Sequence, residues 1–284
     1  MTMPSVGKDR RTFIKRAVSA AIAIPVVAAV VWFGAPWTTI LAVAWSIGAV
    51  LEFYTLVKYS KGLSPLVFPG MVLVLLFVIS PHFENVSIFA NISFTSLLLT
   101  ASVMLPLAFL LGRKGKENAF ANWAWTLAGI LYIGWLMSYL VALRALDNGA
   151  GWVYLALLCT FASDICAYLV GRSFGRHKMA PYISPGKTWE GAVSGVAGAI
   201  IVSVVVILLF GLPVTWWGAI ILGVLISVIG QVGDLVKSLF KRNVEVKDSG
   251  NFLPGHGGFL DRMDSIAFAG VTVYYFAVLS TLGV

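Results

Sequence analysis

Charge is what this chain has least of: 11% of its 284 residues are Asp, Glu, Lys or Arg, against 59% that are hydrophobic. Soluble domains carry about 25% charge, so the composition, with a mean hydropathy of +0.92, excludes an ordinary soluble domain and implies an integral membrane protein. Cysteine is scarce too. Cys159 and Cys166 lie seven residues apart in one apolar run, which gives neither a disulfide framework nor metal-ligand spacing and suits small apolar packing. Of three histidines, His82 and His177 fall in short polar loops and read as solvated; only His256 has other reactive side chains around it.

Long apolar runs are abundant. They recur at about 17–35, 37–57, 64–80, 90–112, 122–143, 152–171, 190–211, 214–235 and 264–283, and about 20 helical residues suffice to cross a bilayer core of about 30 Å. A chain in hydrocarbon must satisfy its backbone hydrogen bonds internally, and these runs are too long and uniformly apolar for barrel strands. The expected fold is therefore all-α, a polytopic membrane protein with about nine transmembrane helices.

Basic residues orient it, because they concentrate in cytoplasmic loops. Lys8, Arg10, Arg11, Lys15 and Arg16 precede the first run, Lys58 and Lys61 follow the second, and Arg113, Lys114 and Lys116 follow the fourth. Arg172, Arg176, Lys178 and Lys187 follow the sixth, and Lys237, Lys241, Arg242, Lys247 and Arg262 lie at or beyond the end of the eighth. Only Arg144 falls on the other side. This pattern places the N-terminus in the cytoplasm and the C-terminus outside. The net charge of +8 is then explained by topology and anionic lipid rather than by nucleic acid, for which there is no basic stripe interleaved with aromatics. The R-R-T-F-I-K at residues 10–15 resembles a twin-arginine export signal, but a retained first helix with basic flanks is the expectation.

Polar content is uneven along what reads as one membrane domain, 1–284. Residues 1–145 form a helical scaffold with little polarity beyond Glu52, whereas residues 146–284 gather polar groups at cytoplasmic helix ends and in loops near 172–189 and 236–263. Carboxylates in lipid cost about 2.5–3.5 kcal/mol each on insertion scales and usually face a cavity or a partner. The candidates are Glu52, Asp164, Glu190, Asp234, Asp261 and Asp264.

Asp261 and Asp264 share a face if a helix begins at Phe259. Taken alone, the pair suits equally a hard divalent cation such as Mg²⁺ or the dipole of a helix N-terminus. The preceding Gly255-His256-Gly257-Gly258 lets backbone N–H groups approach an anion and favours the first reading. On the eighth run Asp234, Lys237, Ser238 and Lys241 form one polar stripe. Lys237 there is expected to snorkel toward headgroups, whereas Asp234 needs a metal, a base or a wet cavity. Asp164, Tyr168 and Arg172 line one face of the sixth run, and Ser184, Lys187, Thr188 and Glu190 open the seventh. Gly186-Lys187-Thr188 lacks the first glycine and the preceding strand of a nucleotide P-loop, although Lys187 can still hold a phosphate at a helix N-terminus.

Ser238-Leu239-Phe240-Lys241-Arg242, Lys247-Asp248-Ser249-Gly250 and Leu253 to Asp264, read as L-P-G-H-G-G-F-L-D-R-M-D, resemble the signature of the phosphatidate cytidylyltransferases, or CDP-diacylglycerol synthases. The likeness extends over roughly 160–270, through D-I-C-A-Y-L-V-G-R-S-F-G-R and S-P-G-K-T-W-E-G. It implies transfer of cytidylyl from CTP to phosphatidic acid, giving CDP-diacylglycerol and pyrophosphate, with Mg²⁺ and a second cation such as K⁺. It also implies a homodimer, in an inner membrane with the site facing the cytoplasm. On that resemblance Asp234, Asp261 and Asp264 are the expected metal ligands and, with Lys241, the catalytic set. Asp164, Ser184, Lys187, Glu190, Ser238, Arg242, Lys247, Asp248, Gly255, His256, Gly257, Gly258 and Arg262 are the expected substrate contacts. A CTP-dependent polyprenol or dolichol kinase and a secondary transporter are the alternatives. The kinase would need a base beside an acceptor hydroxyl, and the transporter paired half-repeats with midplane polar groups.

Overall fold

The computed structural model describes residues 23–84, 93–112, 117–246, 249–250 and 258–281. Its helices follow the apolar runs. They are α1 (Ala23–Phe33), α2 (Ala35–Lys61), α3 (Val67–Ile79), α4 (Phe94–Leu111), α5 (Ala119–Ala145), α6 (Gly149–Phe174), α7 (Trp189–Phe210), α8 (Trp216–Asn243) and α9 (Asp264–Thr281). Six of them, α2 and α4 to α8, are long and apolar enough to cross a membrane, and α1, α3 and α9 are shorter apolar helices. The chain is thus nearly all-α and polytopic.

The helix ends follow local chemistry. Pro36 opens α2, and Gly62, in the left-handed region at φ 62°, closes it with its N–H on the Lys58 carbonyl. Thr188 and Thr215 cap α7 and α8 by accepting the Gly191 and Gly218 N–H groups, and each such cap is worth about 1 kcal/mol. Within α5, residues Ile130–Trp135 form a π-helical segment, beside which Gly129 and Gly134 admit Tyr54 and Val74 in close contact.

Among the described residues one element departs from the all-α expectation. The 172–189 loop carries an antiparallel hairpin, β1 (Lys178–Ala180) with β2 (Ser184–Thr188), pairing Lys178 with Thr188 and Ala180 with Ser184. Gly186, Lys187 and Thr188 therefore lie on a strand that runs directly into α7. A strand is present after all, but no glycine loop separates it from the helix, so a P-loop remains excluded.

Glycine sets the spacing of α6, α7 and α8. A Cβ at Gly195 would press on Ser163, one at Gly198 on Cys166, and one at Gly223 on the backbone of Ile200. Polar groups fill the seam: Ser163 and Ser227 share a hydrogen bond of 2.7 Å, and Gln231 donates to the Ala192 carbonyl at 3.2 Å and to Ser227 at 3.0 Å. Both cysteines are free thiols, Cys159 buried against Ala199 and Cys166 against Gly198, as apolar packing requires. The close fit brings the ends of α6, α7 and α8 to one place.

Candidate active site

At that place charges alternate. Lys187, leaving β2, reaches Asp234 Oδ2 of α8 at 2.7 Å and donates to the Gln231 carbonyl at 3.2 Å. Lys237, one turn beyond Asp234, meets Asp234 Oδ1 at 3.0 Å and also contacts Asp264 Oδ2 of α9. Among the described residues, Asp264 Oδ2 has no hydrogen-bonding partner apart from that ion pair. The Lys237 and Asp264 side chains are 10% and 7% exposed. Lys237 therefore does not snorkel: its stem runs back along α8, and an ammonium between two carboxylates gains more there than in the headgroups.

Three oxygens surround that ammonium, because the Asp261 carbonyl also accepts from Lys237 Nζ at 3.1 Å. Carboxylate and carbonyl oxygens are the donors a hard cation takes, so the chemistry of these residues suits Mg²⁺, and the point on which they converge is held here by Lys237 Nζ. Among the described residues no three His, Cys, Asp or Glu side chains gather into a metal-binding group.

Asp261 and Asp264 meet different partners. Asp261 lies on a 3₁₀ turn, Leu260–Arg262, and pairs with Lys241, whereas Asp264 opens α9 and pairs with Lys237, one turn earlier on α8. Asp261 Oδ1 accepts from Lys241 at 2.8 Å, and its Oδ2 accepts the Ser249 hydroxyl at 2.8 Å, the Ser249 N–H at 3.1 Å and the Gly258 N–H at 3.2 Å. Burial pushes the Asp261 carboxyl up, but the Lys241 ammonium and the Ser249 donors outweigh it and hold the group below the usual carboxylate range. The Gly258 N–H, expected to meet phosphate, is thus engaged by Asp261.

The other expected residues divide. Asp164 lies within electrostatic reach of Asp234, Lys187, Lys237 and Arg262. Ser238 is half-buried on α8, and Arg262 is exposed on the 3₁₀ turn. Arg242 donates to the Ile183 carbonyl at 3.2 Å, tying the end of α8 to the hairpin that holds Ser184. Glu190 turns toward the hairpin instead of the charge chain: it accepts the His177 N–H at 3.2 Å and meets His177 Nδ1 at 2.7 Å. His177 is consequently paired, though its side chain stays 79% exposed. His82, also expected in solvent, bonds Thr39 at 2.8 Å. Lys247, Asp248, Gly255, His256 and Gly257 lie outside the described residues, as do Lys8 to Arg16 and the basic trio Arg113, Lys114 and Lys116.

Two contributors stand outside the expected site set, although the sequence singled out both. Lys237 was legible in part, through its i, i+3 spacing from Asp234. Glu52 on α2 accepts the Phe259 and Leu260 N–H groups at 3.0 Å each; its only signal was a carboxylate in an apolar run.

A model described as the cytidylyltransferase family matches residues 14–280. A phosphatidate cytidylyltransferase of Bacillus subtilis (strain 168) is 39% identical over 184 residues, 64% of this chain and 65% of that protein. One from Brucella suis biovar 1 is 40% identical over 157 residues, 55% of this chain and 57% of its own length. One from Synechocystis is 33% identical over 296 residues, 93% and 96% of the two chains. The chain thus spans a little under two thirds of the length of the Bacillus relative and nearly all of the cyanobacterial one.

Proposed function

Since the chain belongs to the cytidylyltransferase family, we propose that it joins CTP to phosphatidic acid, forming CDP-diacylglycerol and pyrophosphate, at the charge chain of Lys187, Asp234, Lys237 and Asp264. One observation carries the reading: the family match runs through every residue of that chain. The site faces the cytoplasm of an inner membrane, where CTP is available, and phosphatidate enters sideways from the adjacent leaflet.

The lipid phosphate is anionic at neutral pH, so no base is needed to make it a nucleophile. One of its oxygens bonds to the α-phosphorus of CTP, the bond to the oxygen bridging to the β-phosphorus breaks, and pyrophosphate leaves with that electron pair. Positioning and charge neutralisation dominate such a transfer. Lys187, Lys241 and Arg242 hold phosphate oxygens of nucleotide and lipid, and Lys247, Asp248, Gly255, His256 and Gly257, outside the described residues, are assigned to the same substrates. Asp234 and Asp264, with Asp261 beside them, hold Mg²⁺ and a second cation such as K⁺. Bound there, Mg²⁺ supplies positive charge to the phosphate oxygens of the nucleotide and the departing pyrophosphate. A homodimer is the working assembly.

The decisive assay offers CTP to the purified protein with phosphatidate vesicles and, in parallel, with a polyprenol. Label from the cytidine moiety is expected in the lipid, with pyrophosphate in equal amount. Label from the γ-phosphate in a polyprenol would instead establish the kinase.

A further inference from the structure

Glu52 belongs to the scaffold half of the chain, yet its carboxylate serves the catalytic half. Oε1 accepts the Phe259 N–H, Oε2 accepts the Leu260 N–H, and the Ser249 hydroxyl approaches Oε2 at 3.4 Å. A Cβ at Gly250 or at Gly258 would collide with this carboxylate, so both positions are shaped around it. One helical turn earlier, a Cβ at Gly48 would lie 2.6 Å from the Phe259 ring, and Trp45 Nε1 donates to the Phe259 carbonyl at 3.1 Å. Three faces of a single peptide turn are thus held from α2.

That turn sits where the 3₁₀ segment begins, and the first N–H groups of a helical segment have no partner within it. Asp261 takes the Gly258 N–H, and Glu52 takes the next two. The direction in which Asp261 and Asp264 leave the turn therefore depends on a carboxylate about two hundred residues away in sequence.

We infer that Glu52 is a positioning residue of the active site: it fixes the Phe259–Leu260 backbone and so aims Asp261 at Lys241 and Asp264 at Lys237. The inference rests on the transfer reaction proposed above only for its kinetic readout.

The test uses the full-length protein in lipid nanodiscs, comparing wild type with Glu52→Gln and Glu52→Asp. The glutamine amide retains one acceptor and presents an N–H₂ to a backbone donor, whereas the shorter aspartate keeps the charge one methylene short of its partners. Glu52→Gln is expected to speed hydrogen exchange of the Phe259 and Leu260 amides by about tenfold or more. It should lower kcat by about tenfold or more, leaving the phosphatidate KM within about twofold and the unfolding midpoint nearly unchanged. Glu52→Asp should fall between the two. Exchange and kcat both near wild type would overturn the inference, as would a loss of kcat without faster exchange, or one matched by collapse of the unfolding midpoint. Should Glu52→Gln not fold, Gly250→Ala, which crowds the carboxylate without removing it, is read in the same way. If the wild type transfers no cytidylyl group, the functional reading fails, and amide exchange still decides the role of Glu52.

Discussion

Without the Lys237 ammonium, Asp234 and Asp264 would face each other with nothing positive between them. Removing one partner from a buried ionic group typically costs about 3–5 kcal/mol, so Lys237→Met should lower stability by about 3 kcal/mol, read as a shift in the thermal midpoint without added metal. Asp264→Asn keeps the shape and deletes the charge. It should leave a folded protein whose Mg²⁺-dependent turnover is down about 100-fold or more, and near-normal turnover would exclude Asp264 from cation binding. Asp261 gives a pH signature. Its carboxyl is held below the ordinary range, so its contribution is present above the unfolded pKa of about 3.9 and is lost as pH falls through the folded value. Protease sensitivity near Ser249 should rise in acid, and Asp261→Asn should show it already at neutral pH. The carboxylates were legible singly, each an isolated charge in apolar sequence. Their partners were less so: Glu52 meets Phe259 across 207 positions, a separation on which periodicity is silent.

Among the elements, the apolar runs foretold the helices, because a membrane leaves the backbone little else to do. The run at 122–143 and helix α5, Ala119–Ala145, differ only by frayed ends. The β1–β2 hairpin was not legible: Lys178–Ala180 and Ser184–Thr188 show no alternation of apolar and polar residues, and side-chain ties stabilise it from outside. The Glu190–His177 contact is one such tie and Arg242 to Ile183 another. Tyr182 at the hairpin turn is 96% exposed, which makes it a reporter of sidedness. A cysteine introduced there should react with an impermeant maleimide from the cytoplasmic side alone, and one replacing Asp147 from the opposite side. Reversal of that pattern would overturn the orientation read from the basic residues.

For the molecule as a whole, residues from both halves of the chain meet around the charge chain. The second half supplies the charge chain, and the first supplies Glu52, which holds the Phe259 and Leu260 N–H groups. Phe53 of α2 also stacks on Phe240 of α8 at 4.5 Å between ring centroids. A fragment comprising residues 146–284 should therefore insert in membranes but transfer no cytidylyl group. Co-expression with residues 1–145 should restore part of the activity, measured as labelled lipid per unit of protein.

The four charges from Lys187 to Asp264 cancel, two ammonium groups against two carboxylates. Among those four groups a triphosphate arriving alone would find no net positive charge, in a partly desolvated setting that penalises uncompensated anions, and Lys241 and Arg242 at the end of α8 would have to supply the rest. On the transfer proposed above, nucleotide is expected to enter together with its own cations. At subsaturating CTP, apparent affinity should rise with Mg²⁺ until the nucleotide is fully complexed and then level off, the pattern of a protein that accepts a neutralised substrate.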